Sequence, residues 1–271
     1  MRQPLLLPHR FKIIGLIILI PSFIYWLIWT IQNYDLDVLN RNRESYIEEL
    51  IFTGLALGLL MIAFAREKTE DEYIMTLRLQ SLQWAVLANS ALLLMANWIF
   101  YGDHFLSVMI YNMLTVLIIF VIRFHYVLYR KVSPSKNVLS LPHRFKKIGL
   151  LIVSPFIISY FLLDNGLADH INLKFFEDWV FEVFTTGMTV GLVMMAYARE
   201  KSEDEFIASL RLRSLQWAVL LNYGLLLIMN WIYYSGDFLM VLTYNMFTVL
   251  IIFVLWFNIA LRRTSSSLIP E

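Results

Sequence analysis

The chain has 271 residues, 59% hydrophobic and 16% charged, with a formal net charge of +1 and no cysteine. Mean hydropathy is +0.64, and soluble domains carry about a quarter charged residues, so this is a membrane composition. The near-neutral balance offers no basic face for nucleic acid, and the lack of cysteine excludes disulfides, thiolate metal sites and S-lipidation.

A transmembrane helix needs about 20 apolar residues. Eight stretches approach this, at roughly 13–31, 48–65, 81–101, 105–122, 148–163, 179–198, 214–235 and 238–260. The first follows Arg10 and Lys12 as a secretory signal would, but the same helix recurs in mid-chain at 148–163, where nothing can be cleaved. Pro21 and Pro155 lie inside the first and fifth spans. Each removes a backbone hydrogen bond and predicts a kink. The second and sixth spans begin near Glu49 and Glu182, acids that would carry a proton or cation if buried. Both contain G-x-x-x-G, as Gly54 with Gly58 and Gly187 with Gly191. That spacing predicts close helix packing, inside one repeat or between two.

Next come Thr69-Glu70-Asp71-Glu72 and, later, Ser202-Glu203-Asp204-Glu205. Both fit the capping box, with the hydroxyl as cap and the last Glu reaching back, and the helix dipole favours the acids. The helix that follows is unbroken as far as Trp98, about 45 Å, so about a third of it projects beyond the bilayer. Arg78 and Arg211 share a face with Asp71 and Asp204. Glu70, Asp71, Glu72, Arg78, Glu203, Asp204, Glu205 and Arg211 read either as solvated charges on a well-capped helix or as a docking surface for a partner. The later spans hold Asn89, Asn97 and Asn112, repeated as Asn222, Asn230 and Asn245. Asn112 lies three residues before Thr115, and Asn245 three before Thr248. Amides in hydrocarbon bond across helices for about 0.6–2 kcal/mol. Asn89, Asn112, Thr115, Asn222, Asn245 and Thr248 are thus interhelical glue or the lining of a polar path.

The chain is an internal repeat. Leu7-Pro8-His9-Arg10-Phe11-Lys12 returns at 141–146, offset by 134, and Ala65-Arg66-Glu67-Lys68 returns at 198–201, offset by 133. Residues 63–89 match 196–222 at 20 of 27 positions, whereas 31–48 match 164–181 at one of 18, so the inner connection tolerates less change than the outer loop. The division is 1–132, a polar linker at 133–138, and 139–271, the linker being marked by Ser133-Pro134-Ser135.

With the N-terminus cytoplasmic, the inner segments hold 19 Lys and Arg and the outer loops three (Arg41, Arg43 and Lys174), a strong positive-inside split. Trp29, Trp98, Trp179 and Trp231 fall near the outer surface, and Trp84, Trp217 and Trp256 near the inner one. Four spans per unit make the repeats parallel, related by an axis along the membrane normal. His9 and His143 read as headgroup contacts, and His104, His125 and His170 lack metal-ligand spacing, so no metal or cofactor is expected. No Gly-rich phosphate loop, G-x-S-x-G elbow or intramembrane carboxylate pair is present, which argues against an enzyme.

The string Arg66-Glu67-Lys68-Thr69-Glu70-Asp71-Glu72, with Leu77-Arg78-Leu79 and Ser81-Leu82, resembles a family of small bacterial four-span integral membrane proteins. So do its second copy, from Arg199 to Leu215, the opening Arg144-Phe145-Lys146-Lys147-Ile148-Gly149 and the closing Asn245-Met246-Phe247-Thr248-Val249-Leu250. The resemblance covers each repeat except its outer loop and implies no catalytic residue. Such proteins often neighbour helix-turn-helix regulators, and here two units are fused, as an internal pseudo-dimer. The expected fold is an all-α membrane protein of eight spans in two parallel four-helix repeats, with both termini on the cytoplasmic side of a bacterial inner membrane. The expected function is a non-enzymatic regulator or sensor that engages a cytoplasmic protein through the acidic helices. The alternative is a small-solute or ion transporter with its path between the repeats.

Overall fold

In the computed structural model, the described residues are 6–32, 46–133, 140–164, 180–201, 204–233 and 236–266. The predicted loops at 33–45 and 165–179, the linker residues 134–138, Ser202 and Glu203 lie outside them. The described residues form eight helices: α1 Arg10–Gln32, α2 Ile47–Phe64, α3 Glu72–Ile99, α4 Asp103–Tyr129, α5 Arg144–Asp164, α6 Val180–Tyr197, α7 Glu205–Ile232 and α8 Gly236–Ser266. Five are long and apolar enough to cross a membrane over Arg10–Ile31, Glu72–Ile99, His104–Tyr129, Glu205–Ile232 and Phe238–Thr264. Glu49–Phe64 and Phe181–Tyr197 are shorter apolar helices.

Local chemistry sets the helix ends. Asp71 Oδ1 accepts a hydrogen bond from Ile74 N at 2.8 Å, and Asp204 Oδ1 accepts one from Ile207 N at 2.8 Å. The caps are therefore the aspartates, and the predicted capping box headed by Thr69 does not form. The reason is tertiary: Glu70 turns away to accept from Arg78 and from Glu67 N, which holds residues 66–70 out of the helix. α4 closes in a Schellman turn, with Val132 N donating to Val127 O and Lys131 N to Leu128 O, and with Lys131 at φ 51°. The Tyr73 hydroxyl donates to the Val132 carbonyl at 3.0 Å and ties that turn to the start of α3.

The chain packs as two compact units, each drawn from both sequence halves. Unit 1 is Met1–Ala85, Met113–Pro134 and Leu220–Asn245, and unit 2 is Val86–Asn112, Ser135–Val219 and Met246–Glu271. In unit 1, α1 lies against α2 through glycines. A Cβ at Gly15 would meet Gly58 O at 2.9 Å, and one at Gly58 would meet Leu19 Cβ at 2.8 Å. Phe64 and Phe120 meet at 5.9 Å with their ring planes tilted by 36°, and Leu77, Leu82 and Leu117 are buried. The rest of α1 turns side chains such as Ile13 and Ile17, 58% and 65% exposed, outward as a lipid solvent requires. In unit 2, α5 meets α6 at Gly149 and Gly191 in the same way. There Phe253 stacks on Phe257, and Phe184 meets Phe156 and Phe247 edge-on.

Candidate functional site: a clamp made by the two repeated motifs

The two strings that repeat most clearly bind each other. In unit 1, Leu7 N donates to Phe64 O at 2.9 Å and Arg66 N to Leu7 O at 2.9 Å, a short parallel bridge between the entry to α1 and the exit from α2. His9 Nδ1–H donates to the Arg66 carbonyl at 2.9 Å, and Lys12 Nζ meets Glu67 Oε1 at 2.8 Å. Unit 2 repeats every bond: Leu141 N with Tyr197 O, Arg199 N with Leu141 O, His143 with the Arg199 carbonyl, and Lys146 with Glu200. The histidines expected at lipid headgroups each bond the backbone through Nδ1. His9 lies 57 residues from Arg66 and His143 lies 56 from Arg199. The residue lost between the copies falls between Pro21 and Glu49, away from the clamp.

Arg78 completes the clamp in unit 1. It is 2% exposed, donates to the Ala63 carbonyl at 2.7 Å, pairs with Glu70 Oε2 at 3.1 Å and lies over the Phe124 ring at 4.5 Å. It thereby satisfies one of the last carbonyls of α2, which have no partner within their own helix. Arg211, also 2% exposed, lies over Phe257 at 5.2 Å. The structure therefore removes Arg78, Arg211 and most of Glu70 from any surface. Asp71, Glu72, Asp204 and Glu205 remain exposed, together with Lys68 and Lys201.

Beside the clamp lysine the two copies carry different side chains. His125 donates back to Val121 O at 2.8 Å, and its Nε2 lies 4.0 Å from Glu67 Oε1. Its counterpart, Asn258, donates back to Val254 O at 2.7 Å and accepts from Lys146 at 3.2 Å. A titratable ring and a neutral amide thus fill the same place.

A second matched cluster sits at the first turns of α2 and α6. In unit 1, Asn230 Nδ2 donates to Glu49 O at 3.0 Å and to Thr53 Oγ1 at 3.4 Å, while Trp231 Nε1 donates to the same hydroxyl at 3.0 Å. In unit 2, Asn97 donates to Glu182 O at 3.0 Å and Thr186 Oγ1 at 3.3 Å, with Trp98 on Thr186 at 2.9 Å. The sequence paired neither set; the matched spacing of Glu-x-x-x-Thr and Asn-Trp in both halves was the available signal.

The remaining candidates divide. Gly54, Gly58, Gly187 and Gly191 serve contacts inside single units, against α1 or α5. Asn222 donates to Asn245 Oδ1 at 3.1 Å, a bond between α7 and α8 with both residues buried in unit 1. Asn89 and Asn112 are buried in unit 2, and Thr115 and Thr248 are half-buried on α4 and α8. No group of three or more His, Cys, Asp or Glu gathers among the described residues. No family model matches the chain, and no similar curated protein or solved structure was found for it.

Proposed function

We propose that this chain is a non-enzymatic regulator or sensor that crosses a bacterial inner membrane eight times, as two parallel four-helix repeats with both termini cytoplasmic. Each clamp holds a short charged rim at the cytoplasmic face, and a soluble protein docks there. One observation carries the reading. Lys68, Asp71 and Glu72 are exposed, yet each is identical in the second copy, as Lys201, Asp204 and Glu205. The aspartates have a capping duty; the lysines and glutamates face solvent. Packing restrains exposed charges weakly, and a loop held on a rigid scaffold is where binding residues concentrate. The diverged segments 31–48 and 164–181 fit the opposite task of meeting a variable environment.

The test is crosslinking of the full chain in its host membrane through Lys68 and Lys201, followed by mass spectrometry. The same soluble protein should be captured from both lysines and lost in E72K/E205K, which keeps both lysines, with insertion unchanged. Equal capture by that variant would overturn the docking reading.

A further inference from the structure

Trp84 and Trp217 are counterparts at the offset of 133, and each has one arginine close by, supplied from a different position. In unit 1 it is Arg123 of α4, whose guanidinium lies over the Trp84 ring at 4.9 Å. The counterpart of Arg123 in unit 2 is Trp256, which stacks on Trp217 at 5.9 Å. The charge is not lost there. Gln80, four residues before Trp84, becomes Arg213, four residues before Trp217 on the same face of α7. Both arginines are half-buried, and the Nε of each is buried without a hydrogen-bond partner. Among the described residues, neither has a carboxylate within ion-pair distance. Both lie on outward faces. Trp84 is 40% exposed, and the exposed Ile122 and Tyr126 fall one residue before and three after Arg123 on α4. From Arg213 the exposed Trp217, Leu221 and Leu225 run on along α7 at intervals of four.

Arg123 is the only Lys, Arg, Asp or Glu in the apolar span His104–Tyr129. An arginine against hydrocarbon needs a partner, and tryptophan on a membrane helix marks the headgroup level. Stacking on an indole occupies the face of a guanidinium but leaves its in-plane N–H groups, whose fork matches two phosphate oxygens. One arginine with no acid beside it carries one positive charge, which an anionic lipid balances and a zwitterionic lipid does not. The apolar stripe next to each arginine suits acyl chains, whereas an acidic peptide would leave it bare. We propose that Arg123 with Trp84, and Arg213 with Trp217, each hold the phosphate of one anionic phospholipid, in the leaflet at which α3 or α7 begins. The two copies exchange Arg for Trp on one helix and Gln for Arg on the other, so one charge stays near one tryptophan in each unit. A packing role for either arginine does not require that. The inference rests on the membrane reading of the chain and not on the docked partner.

The experiment titrates the full chain, stripped of lipid in mild detergent, with phosphatidylglycerol and reads the bound molecules by native mass spectrometry. Wild type should hold two tightly. R123Q and R213Q should each weaken one of them by about 10-fold or more, as expected for lost hydrogen bonds to a charged group, and R123Q/R213Q should weaken both. Phosphatidylcholine should bind wild type less tightly and should not distinguish the variants. The single variants carry the test if the double variant does not fold. Phosphatidylglycerol held equally by wild type and the single variants would overturn the proposal. So would phosphatidylcholine held as tightly as phosphatidylglycerol, or displacement of the lipid by inorganic phosphate, which would make the ligand a free anion. Alkaline extraction of host membranes runs alongside. A chain that stays in the membrane without arginine-dependent binding sinks this inference alone, whereas a chain that is extracted sinks the membrane reading with it.

Discussion

Gly149→Ala tests the packing where a new Cβ would come nearest to another helix's backbone. A Cβ there would lie 2.5 Å from Gly191 O and 3.0 Å from Met195 N, both backbone atoms of α6. Neither can rotate away, so α5 must back off by about 0.9 Å to reach the ordinary contact of 3.4 Å. A gap of that size forfeits about a quarter to a half of each contact's attraction along the crossing. The expected loss is about 1–3 kcal/mol, as for other overpacked cores. Gly15→Ala meets Gly58 O at 2.9 Å, needs a smaller retreat and should cost less. Gly187→Ala meets a nearer neighbour, the Phe156 ring, but a ring can turn, so nearness alone does not set the order. Gly224→Ala meets nothing within 4 Å in the middle of α7 and should be neutral or stabilising by up to about 1 kcal/mol. Unfolding of the four variants by denaturing detergent, read by circular dichroism, gives the ranking. Wild-type stability for Gly149→Ala, or a Gly224→Ala variant less stable than Gly15→Ala, would refute the account of the crossings.

Arg78→Met leaves the Ala63 carbonyl without its side-chain donor and Glu70 without its counter-charge. It should cost about 3–5 kcal/mol in the same assay; a loss below 1 kcal/mol would show that water reaches the site. Asp71→Ala should cost about 1 kcal/mol as a lost cap, with Thr69→Ala near zero, because Asp71 holds the Ile74 amide. The reverse order would restore the capping box that the sequence suggests. Lys12→Glu with Glu67→Lys should recover most of what either single exchange loses, since the pair meets at 2.8 Å and is largely shielded from solvent. A double variant as unstable as the sum of the singles would show that the pair contributes nothing.

Composition and apolar run length alone determined that the chain is helical and suited to a membrane, because hydrocarbon leaves no other partner for the backbone. The duplicated strings determined the internal repeat, and the unbroken run after Asp71 determined the long α3, seen as Glu72–Ile99. Glycines four apart announced a close crossing, because only a missing Cβ lets two backbones approach. What these signals share is that each is local, a matter of period, spacing or solvent. Partners across 50 residues or more were not legible. Nothing in Leu7-Pro8-His9-Arg10-Phe11-Lys12 says that its target is Ala65-Arg66-Glu67, nor that Gly15 is what Gly58 packs against. The cap passed from Thr69 to Asp71 because Arg78, folded back from the second turn of α3, drew Glu70 out of the helix. Likewise, Glu49 and Glu182 look like ordinary rim acids in the sequence. Only the fold sets Asn230 and Asn97 on their carbonyls and spends the amide donors there.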